Sequence, residues 1–170
     1  GVLGGSGYIK NCYSSATVID QIANNTGKAG GIIGRVNGNA SGSSIENCYS
    51  SGDISAIGGG NAGGIVGKVD GGKLVIKNCI AWNSMLVSTD KAKVGRIVGG
   101  TANATYENCY AYDGMILKAG EATFTVSDET SPSGSSFQGV AKSTNELKST
   151  VISWDSSLWK EGGNGYPVFK

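Results

Sequence analysis

The stretch Ala29-Gly30-Gly31-Ile32-Ile33-Gly34-Arg35-Val36, followed by Ser44-Ile45-Glu46-Asn47-Cys48-Tyr49-Ser50-Ser51-Gly52-Asp53-Ile54, occurs in this chain about four times. The cysteine half recurs as Tyr8-Ile9-Lys10-Asn11-Cys12-Tyr13, Val75-Ile76-Lys77-Asn78-Cys79-Ile80 and Thr105-Tyr106-Glu107-Asn108-Cys109-Tyr110, with cysteine spacings of 36, 31 and 30 residues. The glycine half recurs as Gly63-Gly64-Ile65-Val66-Gly67-Lys68-Val69 and Val94-Gly95-Arg96-Ile97-Val98-Gly99, after a partial copy at Val2-Leu3-Gly4. Two motifs drifting with one period mark an internal repeat of roughly thirty residues. The segments are short and alternate apolar with polar, which argues strands and not helices. One coil of a solenoid, made of short strands that pair in parallel with the next coil about 4.8 Å away, accounts for them.

The expected fold is therefore all-β: a parallel β-helix of about four coils with a C-terminal cap. Right-handed coils follow from the general preference of parallel crossovers. Residues 1–118 are read as the repeats. The chain starts in mid-repeat, so further repeats or domains are expected on its N-terminal side. Residues 119–170 are read as a cap of the same domain, because a solenoid end must be covered. Glu121–Val126 alternates like a strand, residues 131–135 read as a loop, and Ser143-Thr144-Asn145-Glu146 reads as a capping box opening a short helix through Lys148. Trp154, Leu158, Trp159, Tyr166, Pro167, Val168 and Phe169 supply large apolar groups for the cap.

Stacked coils turn equivalent positions into columns. Ile9, Ile45, Ile76 and Tyr106 form an inward apolar column. Lys10, Glu46, Lys77 and Glu107 alternate in sign, the arrangement that neighbouring parallel strands favour on an outer face. Asn11, Asn47, Asn78 and Asn108 suit a corner in the left-handed conformation, with their amides bonding along the stack. Cys12, Cys48, Cys79 and Cys109 read as small buried hydrophobes; parallel side chains face neither each other for a disulfide nor a common centre for zinc. Val18, Ile54, Met85 and Met115 are expected to make a further apolar column. Arg96 stands where the other copies have the second glycine, and a charge there must point outward or find a partner.

The unit Gly-Gly-Ile-Val-Gly-Lys-Val with Ile-x-Asn-Cys-Tyr-Ser-Ser-Gly-Asp-Ile resembles the GLUG motif repeat of bacterial surface proteins, over about residues 1–117 and best from Ala29 through Ile54. The resemblance implies a β-helix in a large exported protein, extracellular or at the cell surface, of the adhesin-like kind or the non-catalytic part of an immunoglobulin-A-cleaving protease. It carries no active site with it.

The composition narrows the function classes. Glycine stands at 29 of 170 residues and proline at 2, without the Gly-X-Y period of collagen. Basic and acidic residues nearly cancel, 14 against 13, so nothing points to nucleic acid. No apolar run is long enough to insert in a membrane as a helix. There is no histidine, which removes the commonest general base and nucleophile partner. Asp20, Asp53 and Asp113 are the nearest thing to an acidic cluster. No catalytic residue, metal site or cofactor is expected. The expected role is a non-catalytic structural or adhesion module whose partner is a protein or glycan at the cell surface. Two alternatives stand beside it. One is a carbohydrate-binding module using an outward aromatic strip of Tyr49, Trp82, Tyr110 and Tyr112. The other is a glycan-active lyase or hydrolase.

Overall fold

The computed structural model describes residues 1–24, 26–38, 42–71, 73–100, 104–126 and 137–170. The chain winds as a β-solenoid of about four coils. The strands are β1 (Val2–Leu3), then β2 (Tyr8–Lys10), β3 (Tyr13–Ser14), β4 (Val18–Asp20), β5 (Lys28–Gly30) and β6 (Ile33–Val36). The second coil holds β7 (Ser43–Glu46), β8 (Tyr49–Ser50), β9 (Ile54–Ala56), β10 (Asn61–Gly63) and β11 (Val66–Val69). The third holds β12 (Leu74–Lys77), β13 (Ile80–Ala81), β14 (Met85–Ser88) and β15 (Val94–Gly95). The fourth holds β16 (Ala104–Glu107), β17 (Tyr110–Tyr112) and β18 (Ile116–Ala119). After it come β19 (Ala122–Phe124), β20 (Val140–Lys142), the helix α1 (Thr144–Trp154), β21 (Trp159–Glu161) and β22 (Pro167–Phe169).

Each coil position contributes to its own parallel sheet, and the registers follow the repeat. Ile9 pairs with Ile45, Ile45 with Ile76, and Ile76 with Tyr106. The same ladder sets Lys10 beside Glu46, Glu46 beside Lys77, and Lys77 beside Glu107. Lys10 and Glu46 approach to 3.6 Å and Lys77 and Glu107 to 3.0 Å, so the alternating column is a ladder of ion pairs. These pairs are exposed and each stabilises the stack only slightly. Their larger effect is on register, since a slip by one coil would set like charges side by side.

The asparagine corners behave as the residue type requires. Asn11, Asn47, Asn78 and Asn108 have φ of 54°, 52°, 49° and 50°. Their amides join head to tail: Asn47 Nδ2 donates to Asn11 Oδ1 at 3.1 Å, Asn78 to Asn47 at 3.0 Å, and Asn108 to Asn78 at 3.1 Å. Asn47 thus holds a left-handed turn and two ladder bonds at once. Asn47→Ala is expected to cost about 3 kcal/mol, from roughly 1–2 for the left-handed backbone and about 1 per lost bond. Asn47→Gly, which relieves the backbone and loses only the bonds, is expected to cost clearly less. Urea denaturation of both variants checks this; equal losses would remove the backbone from the account.

The cysteines after each corner turn inward. Cys48, Cys79 and Cys109 are fully buried, and all four are free thiols. Each thiol donates weakly to carbonyls: Cys79 Sγ reaches Ile45 O at 3.4 Å in the coil before, and Cys109 Sγ reaches Ile76 O at 3.4 Å. That weak donor distinguishes cysteine from alanine at this position. Burial pushes the Cys79 and Cys109 thiols up, Cys109 to about 12.

One expected column is corrected. Val18 pairs with Ile54, but Ile54 pairs with Leu86 and Leu86 with Leu117, not with Met85 and Met115. The third and fourth coils carry extra residues between the cysteine corner and this strand, and with a side-chain period of two such a slip changes which residue faces the core. Leu86 and Leu117 are buried there. The stack also runs past Lys118. Strand β20 lies parallel beside β17, with Val140 opposite Tyr110, and Phe137 O accepts from Ile97 N and Val98 N. A partial further layer therefore precedes the helix. Strand β19 instead folds back antiparallel on β18. The loop expected at 131–135 lies outside the described residues.

Candidate functional site

Strand alternation sends Tyr13, Tyr49, Ile80 and Tyr110 away from the coil interior, and Ser14, Ser50, Ala81 and Ala111 into it. The structure agrees with both directions, since Ala81, Ala111 and Ser50 are buried in the coil. The outward strip is not an open surface, however. Tyr49 is 1% exposed and Trp82 is 2% exposed, while Tyr110 and Tyr112 are half-buried. They pack with Leu147, Val151 and Trp159 into a second apolar layer outside the coil. The expected flat aromatic face is thus covered by the C-terminal segment.

The covering works through α1. Ser143 N donates to Glu146 Oε2 at 2.9 Å and the Ser143 side chain faces the backbone N–H of Glu146, so the capping box forms as expected; Ser143 Oγ also donates to Glu146 Oε2 at 2.6 Å. The helix continues to Trp154, past the expected end at Lys148. Ser149, Thr150, Val151 and Ile152 are weak helix formers. Burial overrides this weakness, because Leu147 and Val151 lie one turn apart and both enter the aromatic layer. Strands β21 and β22 then form an antiparallel hairpin that brings Trp159 against Tyr49, with ring centroids 5.9 Å apart. Tyr49 donates its hydroxyl to Pro167 O, which fixes the hairpin to the second coil. Trp82 meets Tyr166 edge to face at 4.8 Å. Lys142 Nζ sits 3.8 Å over the Tyr110 ring.

Where the returning hairpin passes the first two coils it leaves a cleft of about 330 Å³, lined by Tyr13, Ser15, Tyr49, Ser51, Asn164, Tyr166 and Val168. Tyr13 stacks on Tyr49 at 5.3 Å and 8° between planes, yet remains 38% exposed. Of the strip read from the sequence, only Tyr49 reaches this cleft. The others were not recognisable as a group, because Tyr13 and Tyr166 are far apart in sequence and meet only through the hairpin.

Among the described residues, the carboxylates of Asp20 and Asp53 are taken up by separate backbone groups. Asp20 stands in register with Ala56, not with Asp53. Its two oxygens accept from Ile22 N at 2.9 Å and Lys28 N at 2.5 Å. Asp53 accepts from Met85 N at 3.0 Å. Asp70 accepts from both Arg35 and Lys68, which are stacked neighbours in the ladder. It holds two like charges together. Among the described residues no group of three or more histidine, cysteine or carboxylate side chains is placed to hold a metal ion.

Arg96 finds partners. Its side chain is 6% exposed and donates to Gln138 O at 2.9 Å and Gly139 O at 2.7 Å, while its backbone N–H donates to Gln138 Oε1 at 3.0 Å. The third coil is thereby tied to the layer that follows the fourth.

Residues 25–55 match the model of the GLUG motif. Over all of its length the chain superposes on the crystal structure of a protein from Bacteroides ovatus described as a putative immunoglobulin A1 protease, with a TM-score of 0.71 and 36% identity. The chain spans 62% of the length of that protein. No curated protein matches it.

Proposed function

From a β-helix that carries the GLUG motif, we propose that this chain serves as a non-catalytic structural or adhesion module of an exported bacterial protein, extracellular or at the cell surface. One observation carries the reading: the polar side chains that repeat from coil to coil bond along the stack and do not converge on a point. The asparagine amides bond to one another and the lysines pair with glutamates of the next coil, while the carboxylates of Asp20 and Asp53, which do not repeat in register, are each taken up by backbone N–H groups. Acid–base and nucleophilic catalysis need such groups brought together around one reacting atom. A ladder instead stiffens a rod, which suits a stalk or a presenting surface. The partner in this reading is a protein or glycan outside the cell.

The description of the Bacteroides ovatus protein makes immunoglobulin A1 the first substrate to test. The chain incubated with immunoglobulin A1, and separately with a polysaccharide panel, is expected to leave both intact by mass spectrometry. A product that accumulates with time and with chain concentration would overturn the non-catalytic reading. Antibodies raised against the chain are expected to label unpermeabilised cells of the producing bacterium or its culture medium. Signal confined to permeabilised cells would overturn the exported placement.

A further inference from the structure

We infer that the cleft between the first two coils and the C-terminal hairpin is a binding site for a single uncharged sugar ring. The cleft has two walls of separate origin. Tyr13, Ser15, Tyr49 and Ser51 come from equivalent positions of successive coils, and Asn164, Tyr166 and Val168 come from the hairpin more than a hundred residues later. Its volume of about 330 Å³ lies at the small end of ligand pockets, which run from roughly 300 to 1,000 Å³. A single ring and its hydroxyls suit that size better than an extended chain.

The lining chooses the chemistry. Tyr13 presents an aromatic ring backed by the stacked Tyr49, so its orientation is set before any ligand arrives. Tyr49 is fixed in turn by its hydroxyl bond to Pro167 O. The two stacked rings give the cleft a pre-set apolar side that suits the C–H groups of a pyranose, at little cost in side-chain ordering. Around it stand the hydroxyls of Ser15 and Ser51 and the amide of Asn164, groups that both donate and accept, as sugar hydroxyls do. Asn164 Oδ1 accepts from Tyr166 N at 3.3 Å, an exposed contact within the hairpin turn. None of the seven lining residues is charged. A phosphate or a carboxylate entering the cleft would lose water without meeting an opposite charge among the lining residues. Beside the cleft, Trp159 contacts both tyrosine rings, and its buried indole N–H has no hydrogen-bond partner among the described residues.

The test is a titration of the isotope-labelled chain with methyl pyranosides of neutral hexoses and, in parallel, with a uronic acid, followed by amide NMR shifts. The expected result is saturable perturbation at Tyr13, Ser15, Ser51, Asn164 and Tyr166 by at least one neutral pyranoside. Dissociation constants are expected near 1 mM, as a small ligand with a dozen heavy atoms allows, and the uronic acid should bind at least about tenfold more weakly. Asn164→Ala, on the exposed hairpin turn, is expected to weaken binding about tenfold without moving the unfolding midpoint. Tyr13→Ala is expected to abolish binding; should that variant fail to fold, Asn164→Ala and Ser15→Ala carry the test. No saturable shift with any neutral pyranoside would overturn the inference, as would shifts that map elsewhere or tighter binding of the uronic acid.

Discussion

Gly64→Ala is expected to destabilise the chain by more than about 4 kcal/mol, at the extreme of what single substitutions do, or to prevent folding. A Cβ at Gly64 would lie 2.3 Å from Arg96 O, 2.5 Å from the Ala81 Cβ and 2.6 Å from Asn83 Oδ1. Two of these neighbours belong to structure that cannot retreat. Arg96 O accepts the backbone N–H of Gly64 at 3.0 Å and so belongs to the ladder itself. Asn83 is fully buried and bonds to Ser50 Oγ at 3.0 Å inside the coil. Relief would require adjacent coils to separate locally, breaking the parallel ladder on both sides. The control is Gly163→Ala, where a Cβ would meet nothing within 4 Å and the change should stay within about 0.5 kcal/mol. Urea denaturation followed by tryptophan fluorescence measures both. A Gly64→Ala variant as stable as the Gly163→Ala control would mean that the coils are less tightly stacked than the registers require.

The second large effect is expected at Arg96. Arg96→Ala removes a buried cation that donates to Gln138 O and Gly139 O, and leaves both carbonyls without that donor. Hydrogen bonds from a charged donor contribute about 1.5–3 kcal/mol each, and bonds that share one side chain do not add fully. A loss of about 3–4 kcal/mol follows. Arg96→Lys should recover only a small part, because an ammonium cannot reach two carbonyls with the planar fork of a guanidinium. The loss is expected to be local in its first effect. Limited proteolysis should cut the variant after Lys118 faster than the parent chain, while the first three coils stay protected. Uniform protection equal to that of the parent chain would show that the contact does not hold the cap.

These two positions are equivalent in the repeat, and their contrast explains the departure at residue 96. Gly31 and Gly64 sit at the same corner, and a Cβ on either would strike the backbone oxygen of the next coil, Gly64 O in one case and Arg96 O in the other. At Arg96 the next layer is the partial one around Phe137–Gly139, whose chain takes a different path. Space opens there, and the side chain that fills it also ties the layers together. Read from the sequence, Arg96 was a charge in need of a partner; the identity of the partner depended on a segment about forty residues away.

How much was legible differs by feature. The repeat, the parallel registers, the asparagine corners, the inward cysteines and the alternating ion pairs could all be read in advance. Each depends on residue type and on equivalence between neighbouring coils, and both are written along the chain. The slip that replaced Met85 and Met115 by Leu86 and Leu117 was not, because the insertions between corner and strand carry no mark of where they bulge. The helix past Lys148 was hidden by β-branched residues whose propensity loses to burial.

The aromatic strip shows the same division most plainly. Strand alternation alone determined that Tyr49, Trp82, Tyr110 and Tyr112 leave the coil interior. It could not determine whether they then meet solvent. Trp82 and Tyr49 are as buried as the isoleucines of the coil, because a helix and a hairpin from the last thirty residues lie over them. The physical reason is one of range. Period, corner and charge pattern are set by neighbours along the chain and along the stack, whereas the covering of an outer face depends on where a distant segment gains most by burying its own tryptophans.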